Sequence, residues 1–172
     1  VIYTLQPQAS LTVIDQSTGE VKAIVGGRGD KTASKTLNRA TDTTRQPGST
    51  FKILAAYSAA LDAGGLTLAS VQDDAPYTYA GANGKSVNNY DRRYRGFTTL
   101  REAITDSINI VTVKTLAQAG VSLGWQYVQE YGFTTVDSRD MNEALALGGI
   151  TQGVSNLELT AAYAAIDRKS VV

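Results

Sequence analysis

The most informative segment of this chain is the octapeptide Arg-Gln-Pro-Gly-Ser-Thr-Phe-Lys at residues 45–52. Its proline–glycine pair is a turn signal, and the apolar spacing after Ser49 predicts a helix. Serine is a preferred N-cap residue, and a Gly-Gly pair that starts at Gly64 ends the helical pattern. The octapeptide therefore predicts a change from loop to helix, with Ser49 and Lys52 on the first turn of that helix.

The patterns on either side of the octapeptide predict the fold class. Short β-prone runs at residues 9–15 and 20–26 flank a Gln-Ser-Thr-Gly turn and predict a β-hairpin. Residues 66–97 show no sustained period, which predicts a long functional loop or a small subregion. Capping boxes at residues 99–102 and 155–158 open later helices. Two strands followed by helices are typical of an α+β domain, and an isolated hairpin implies that the sheet is incomplete.

Composition limits the chemistry that this chain can perform. It has 172 residues, which predicts one domain, and it contains neither His nor Cys. Ser-His-Asp and Cys-His hydrolases, Cys/His zinc sites, iron–sulfur ligation and disulfides are therefore excluded. The 16 Lys and Arg residues balance 16 Asp and Glu residues, so the chain has no basic field for nucleic acid.

Ser49 and Lys52 form a Ser-x-x-Lys pair that suits nucleophilic catalysis without histidine. Positions three apart share one face of a helix, so the lysine amine can reach the serine hydroxyl. The helix dipole stabilises an oxyanion at this end, and a lysine in apolar surroundings loses its proton more easily. About half of one such match is expected by chance, however. The spacing alone favours the alternative of a plain N-cap serine and a solvated lysine.

A second motif, Ser-Ile-Asn at residues 107–109, lies in a predicted break between two helices. The first helix is predicted to end near Thr105, and the next to begin at Ile110. A hydroxyl in this break can relay a proton, and the Asn amide can bind a peptide backbone. The string Ser-Val-Asn at residues 86–88 matches as well, but it lies in a Gly- and Asn-rich stretch, and a catalytic group needs rigid support. Ser107 is therefore preferred, with a plain N-cap role for it as the alternative.

Ser-x-x-Lys followed by Ser-x-Asn resembles the signature of penicillin-binding proteins and class A β-lactamases. The flanking sequence is more specific, because the octapeptide looks like the active-site block of the bifunctional, class A penicillin-binding proteins. Further blocks resemble that family in the same order, from about residue 9 to residue 166. They are the segments at residues 13–27, 89–109 and 145–163. The resemblance implies an α+β transpeptidase fold of the penicillin-binding protein and serine β-lactamase type.

The resemblance also implies roles for four residues. Ser49 is expected to be the nucleophile that attacks the D-Ala-D-Ala bond of a peptidoglycan stem peptide, after Lys52 has taken its proton. Ser107 is expected to pass that proton to the leaving amine, and Asn109 to bind the backbone of the donor peptide. An amine from a neighbouring strand then resolves the acyl-enzyme. The expected activity is thus that of a serine-type D,D-transpeptidase, which also binds β-lactams and uses no cofactor or metal ion.

The third motif of the family, Lys-Thr-Gly or Lys-Ser-Gly, does not occur in this sequence. The resemblance implies that it follows residue 166, on a strand that completes the sheet and supplies one oxyanion-hole N–H; Ser49 supplies the other. The chain is therefore expected to be a truncated domain, with an N-terminal hairpin and a helical layer but without the C-terminal sheet strands, and to be inactive by itself. The parent protein is expected to be anchored at the extracytoplasmic face of the bacterial membrane and to carry a glycosyltransferase domain.

The domain is predicted to span residues 1–166, followed by a non-native tail at residues 167–172. The apolar helical pattern stops abruptly at this point. The hexapeptide Asp-Arg-Lys-Ser-Val-Val can also be back-translated into a sequencing-library adapter, and such additions are excluded from fold reasoning.

Two other functions stay open at this point. A β-lactamase or a D,D-carboxypeptidase of the same fold passes the acyl group to water instead of an amine. A non-catalytic module that recognises penicillin binds it without turnover. The block at residues 45–52 and the later Gly-rich blocks favour the transpeptidase.

Overall fold

The fold is described from a computed structural model, which covers residues 7–30, 33–80 and 84–167. The chain divides into two compact units. One lies within residues 1–45 and 154–172, and the other is the continuous stretch 46–153. The site predicted from the sequence falls entirely in the second unit.

The first unit contains the predicted hairpin. Strands β1 (Leu11–Asp15) and β2 (Glu20–Val25) pair antiparallel, and Gly19 at the turn has a φ of 77° that favours glycine. Helix α5 (Asn156–Asp167) packs on β1, and the capping box predicted at residues 155–158 is present at its start. The prediction of the hairpin is therefore confirmed. The rest of the predicted tail, after Asp167, lies outside the described residues.

The second unit is mainly helical. Its first helical stretch, residues 48–62, is less regular than the sequence pattern predicts, because it passes through three helix types. The order is a 3₁₀ turn, Gly48–Thr50, a π-helical segment, Ile53–Tyr57, and α1, Ser58–Asp62. The remaining helical elements are α2 (Leu100–Thr105), α3 (Asn109–Ala119), α4 (Val121–Glu130) and the 3₁₀ turns Ser138–Asp140 and Glu143–Leu147.

The stretch at residues 66–97 is a small subregion, the second of the two alternatives that its sequence left open. It contains two short antiparallel pairs, in which the first strand joins the fourth and the second joins the third. The strands are β3 (Val71–Asp74), β4 (Tyr77–Thr78), β5 (Ser86–Val87) and β6 (Gly96–Thr99). The two-residue strands β4 and β5 are too short for alternation to reveal them in a sequence.

The core of the second unit lies under the turn between α2 and α3. Tyr57, Leu100, Ala103, Ile108 and Val111 form a buried cluster there. Ile108 is the central residue of the Ser-Ile-Asn motif, and it is 2% exposed. Burial of this side chain at about 1.5–3 kcal/mol anchors the turn between the two polar residues of the motif.

The α+β class and the transpeptidase-type fold predicted from the sequence are confirmed by the structural neighbours described below. The limits of the domain at residues 1–166 stay a prediction. Within the described ranges, none of the helices combines the length and the apolar character that a membrane span requires.

Candidate active site

Ser49 lies in an exposed 3₁₀ turn at the beginning of the first helical stretch. Gly48, with a φ of 57°, sets the entry into this turn. The hydroxyl of Ser49 has no hydrogen-bond partner among the described residues, whereas the neighbouring Thr50 hydroxyl donates to the Pro47 carbonyl at 2.6 Å. The N-cap alternative for Ser49 is therefore wrong, since Pro47 is the N-cap of the turn and no side chain caps it.

Lys52 follows one turn later and is 3% exposed. Its Nζ donates to the Ser107 carbonyl at 2.6 Å, the Ser107 Oγ at 2.9 Å and the Asn109 Oδ1 at 2.6 Å. The alternative of a solvated lysine is therefore wrong. Three acceptors match the three protons of an ammonium group, so the cation is fully hydrogen-bonded although it is buried.

Burial lowers the pKa of Lys52 to about 8, because desolvation disfavours the charged amine. With this pKa, about one amine in ten is neutral at pH 7. The neutral amine has two N–H donors and one lone pair, so it gives up one of the three hydrogen bonds and can then accept a proton. Lys52 can therefore act as a base near neutral pH, which an ordinary surface lysine cannot.

Ser107 occupies the break between α2 and α3 in a conformation that serine seldom adopts. Its φ is 54°, in the left-handed region, and strain of this kind is common at functional sites. The N-cap of α3 is Ile108, which offers no side-chain hydrogen bond. The N-cap alternative for Ser107 is therefore wrong, and both its hydroxyl and its carbonyl are directed to Lys52 instead.

Asn109 is the first residue of α3, and both ends of its amide are held. Oδ1 accepts from Lys52, while Nδ2 donates to the carbonyl of Asn88 at 2.7 Å. The second proton of Nδ2 is available for a ligand. The string Ser-Val-Asn at residues 86–88, which was set aside as a competing motif, thus supports the preferred one through a backbone carbonyl.

The turn that carries Ser49 packs against residues 148–150, which follow the 3₁₀ turn Glu143–Leu147. Gly148 has a φ of 73°, and a Cβ built on it would lie 2.6 Å from both N and O of Gly48. Gln46 donates through Nε2 to the Ile150 carbonyl at 3.0 Å. Only a glycine at position 148 allows the two backbones to approach this closely.

The structure therefore brings three of the four predicted residues into one hydrogen-bonded group. Lys52, Ser107 and Asn109 are in direct contact, whereas Ser49 stands one helical turn away with an unengaged hydroxyl. Sequence reasoning gave no role to Gly148 or to the buried residues Asn89 and Asp74. Asn89 accepts from the backbone N–H groups of Asn109 and Ile110, and it donates to Asp74. The Gly-Gly pair at residues 148–149 was a usable signal for a close backbone approach, whereas Asn89 only began a block that resembles the family, with no pattern that indicated its role.

A serine and a buried lysine at the start of a helix, beside a Ser-x-Asn turn, define a class of serine acyltransferases. Residues 9–170 match the family described as the penicillin binding protein transpeptidase domain. The chain therefore belongs to this family, which confirms the resemblance seen in its sequence and points to peptidoglycan synthesis.

The similar proteins are penicillin-binding proteins of several bacteria. The chain is 48% identical to penicillin-binding protein 1A of Neisseria flavescens over 130 residues, which are 73% of this chain and 16% of that protein. It is 36% identical to penicillin-binding protein 1A of Clostridium tetani over an alignment of 183 positions, which covers 98% of this chain and 23% of that protein. The chain thus spans about a fifth of the length of these relatives.

Solved structures show the same fold. Penicillin-binding protein 1A of Haemophilus influenzae superposes with a TM-score of 0.81 at 32% identity, over 93% of this chain and 23% of that chain. The PonA1 protein of Mycobacterium tuberculosis, in complex with penicillin V, superposes with a TM-score of 0.74 over 92% of this chain and 44% of that chain. At 21% identity, this second similarity shows the fold alone.

Proposed function

We propose that the protein containing this chain is a peptidoglycan D,D-transpeptidase that acts through an acyl-enzyme on Ser49. The observation that carries the proposal is the state of Lys52, which is buried, hydrogen-bonded to both polar residues of the Ser-x-Asn turn and lowered in pKa to about 8. A lysine with a purely structural role does not require a lowered pKa together with contacts to two polar residues. A lysine that deprotonates a serine hydroxyl requires both.

The first half of the reaction forms an ester. Lys52, as the neutral amine, takes the hydroxyl proton of Ser49 while Oγ bonds to the carbonyl carbon between the two D-Ala residues. Ser107 Oγ, 2.9 Å from Nζ, relays a proton to the nitrogen of the leaving D-Ala as the C–N bond breaks. D-Ala departs with a neutral amino group, and Lys52 returns to its starting state.

The second half transfers the acyl group. The amine of a neighbouring stem peptide attacks the ester carbonyl, its proton passes back through Ser107 and Lys52, and Ser49 leaves with a proton. Asn109 uses its remaining Nδ2 proton to bind a carbonyl of the donor peptide. A β-lactam enters the same cycle at the first step, because opening its ring leaves an ester on Ser49.

The site in this chain offers one backbone N–H, that of Ser49, for the developing oxyanion. The second donor is proposed to come from a strand with a Lys-Thr-Gly or Lys-Ser-Gly motif in the rest of the protein. Losing one such donor lowers acyl-transfer rates by about 10²–10³-fold. The 172-residue chain alone is therefore proposed to be inactive, and the complete gene product is the form to assay.

The proposed setting follows from the substrate. The proposed partners are peptidoglycan stem peptides, and no nucleic acid is proposed to bind. The proposed reaction needs no metal or cofactor. The complete protein is proposed to act at the extracytoplasmic face of the bacterial membrane, with a membrane anchor and a glycosyltransferase domain.

Labelling with a fluorescent penicillin tests the proposal in the complete gene product. Wild type is expected to form a stable ester on the peptide that contains residue 49, as seen by mass spectrometry, and Ser49→Ala is expected to lose it. Ser86→Ala, from the competing Ser-x-Asn string, is the matched control and keeps the label. Labelling that survives Ser49→Ala contradicts the assignment. An acyl group that passes to water and never to an added amine favours a β-lactamase or a carboxypeptidase.

A further inference from the structure

The N-terminus of α3, which carries Asn109, is capped from a distant part of the chain. A helix leaves its first backbone N–H groups without partners, and the local N-cap residue usually accepts from one of them. Ile108 cannot do so. The Oδ1 of Asn89 accepts instead from the backbone N–H of Asn109 at 3.1 Å and from that of Ile110 at 3.2 Å.

The amide of Asn89 can have only one orientation. Its Nδ2 donates to Asp74 Oδ1 at 2.8 Å, to Asp74 Oδ2 at 3.0 Å and to the Arg93 carbonyl at 2.8 Å. Nδ2 therefore faces only acceptors, while Oδ1 faces only donors. Asn89 is 3% exposed, so a replacement that lacks either end leaves buried groups without partners.

The carboxylate behind Asn89 is itself fixed. Asp74 is the last residue of β3 and is fully buried. It accepts from the backbone N–H of Arg95 at 3.0 Å, and the Arg95 guanidinium lies 3.8 Å away. A continuous set of contacts thus runs from β3 through Asp74 and Asn89 to the first turn of α3.

This arrangement explains how Ser107 keeps a φ of 54°. A serine in the left-handed region relaxes unless the backbone on both sides is held. Lys52 contacts the turn on one side, and Asn89 holds the residues that follow it on the other. Asn88, the neighbour of Asn89, also fixes the side chain of Asn109 through its carbonyl.

We propose that Asn89 is a positioning residue of the acyl-transfer site, and that its side-chain amide, backed by Asp74, sets where the Ser107–Asn109 turn stands relative to Lys52. Asn89 does not touch the reacting atoms; it acts through the backbone of Asn109 and Ile110. This inference rests on the proposed function, since it assumes that Lys52 and Ser107 exchange protons.

The first test is Asn89→Ala in the complete gene product, with the pH profile of penicillin acylation as the readout. When the turn moves away from Lys52, water reaches Nζ. The acylation rate is therefore expected to fall about tenfold or more, and the apparent pKa of its pH profile to rise above the wild-type value. Asn38→Ala is the control, because Asn38 Oδ1 accepts from the backbone N–H of Ala40 in the other unit. It also removes an asparagine side chain that accepts from a backbone N–H, and it is expected to leave both the rate per folded molecule and the apparent pKa unchanged.

A second pair of variants decides the question even if Asn89→Ala does not fold. Asn89→Asp keeps the acceptor for α3 but sets an oxygen against the Asp74 carboxylate, and it is expected to acylate slowly. Asp74→Asn restores a donor between the two side chains. It is expected to lower the acylation rate in the wild-type background and to raise it in the Asn89→Asp background. This reversal of sign is not expected of a general loss of stability.

The outcomes separate this inference from the function on which it rests. If Ser49→Ala keeps the penicillin label, the proposed function fails and the positioning role with it. If Ser49→Ala loses the label while the Asn89 variants keep the wild-type rate and apparent pKa, only the positioning role is overturned. The same conclusion follows if Asp74→Asn lowers the rate equally in both backgrounds.

Discussion

Replacing Gly148 with alanine tests whether the turn of Ser49 is held in place by a backbone contact. The new Cβ would lie 2.6 Å from N and O of Gly48, whereas ordinary contact begins at 3.4 Å. The two segments must therefore separate by 3.4 − 2.6 = 0.8 Å at Gly48, the residue before Ser49. Misplacing a reacting group by about 1 Å can reduce a rate about 10²-fold. We expect Gly148→Ala to acylate about 10- to 100-fold more slowly than wild type.

Gly65→Ala is the matched control for this experiment. Gly65 has a φ of 71°, close to the 73° of Gly148, but a Cβ at Gly65 would meet nothing within 4 Å. Both variants carry the strain of a left-handed alanine, about 1 kcal/mol. Gly148→Ala adds the overlap, which typically costs about 1–3 kcal/mol. Thermal unfolding is therefore expected to show a drop in Tm of about 2–4 °C for Gly65→Ala and a larger one for Gly148→Ala.

Acylation is measured as the rate of fluorescent-penicillin incorporation, normalised to the folded fraction of each variant. Gly65→Ala should retain the wild-type rate, because its strain lies away from the site. A Gly148→Ala variant that is less stable but acylates as fast as wild type would refute the argument, since it would show that the Ser49 turn tolerates the displacement.

Two further predictions concern Lys52 and the start of α2. The folded protein releases the Lys52 proton at a pKa of about 8 and the unfolded chain near its ordinary value of 10.5, so the unfolded state binds more protons between these values. The free energy of unfolding should therefore rise with pH in this window, by up to about 1.4 kcal/mol per pH unit, and Lys52→Met should lack the rise. Urea unfolding from pH 8 to 9.5 measures this change in the free energy of unfolding. An equal change with pH in wild type and in Lys52→Met would contradict the argument that burial lowers the pKa of Lys52. Thr99→Ala removes the capping box in which Thr99 Oγ1 accepts from the Glu102 N–H at 3.2 Å, and it should cost about 1 kcal/mol of stability; an unchanged Tm would count against this role of the cap.

Local signals in the sequence were sufficient for the elements that define the site. The capping box at residues 99–102 set the start of α2, and the cluster of small polar residues after Thr105 marked the break before α3. These features depend on neighbours within a few residues, and the hydrogen bonds of Ser107 and Asn109 to Lys52 agree with them.

The supporting contacts depend on partners that are distant in the chain, and so they were not predictable from the sequence. Asn89 meets α3 from 20 residues away, and Gly148 meets Gly48 from a separation of 100 residues. The π-helical segment at Ile53–Tyr57 was also missed, because its apolar spacing is read equally well as an α-helix. Helical periodicity specifies which face is buried, but it does not specify how many residues each turn contains.

The reciprocal pairing of Arg45 with Val154 has a consequence for exchanging parts between related proteins. The backbone N–H of each residue donates to the carbonyl of the other at 2.9 Å, so the two residues that flank residues 46–153 are side by side. The chain therefore enters and leaves the stretch 46–153 at two positions that are hydrogen-bonded to each other. A chimera cut at these two positions would move Ser49, Lys52, Ser107 and Asn109 together, as one insert whose two ends lie side by side.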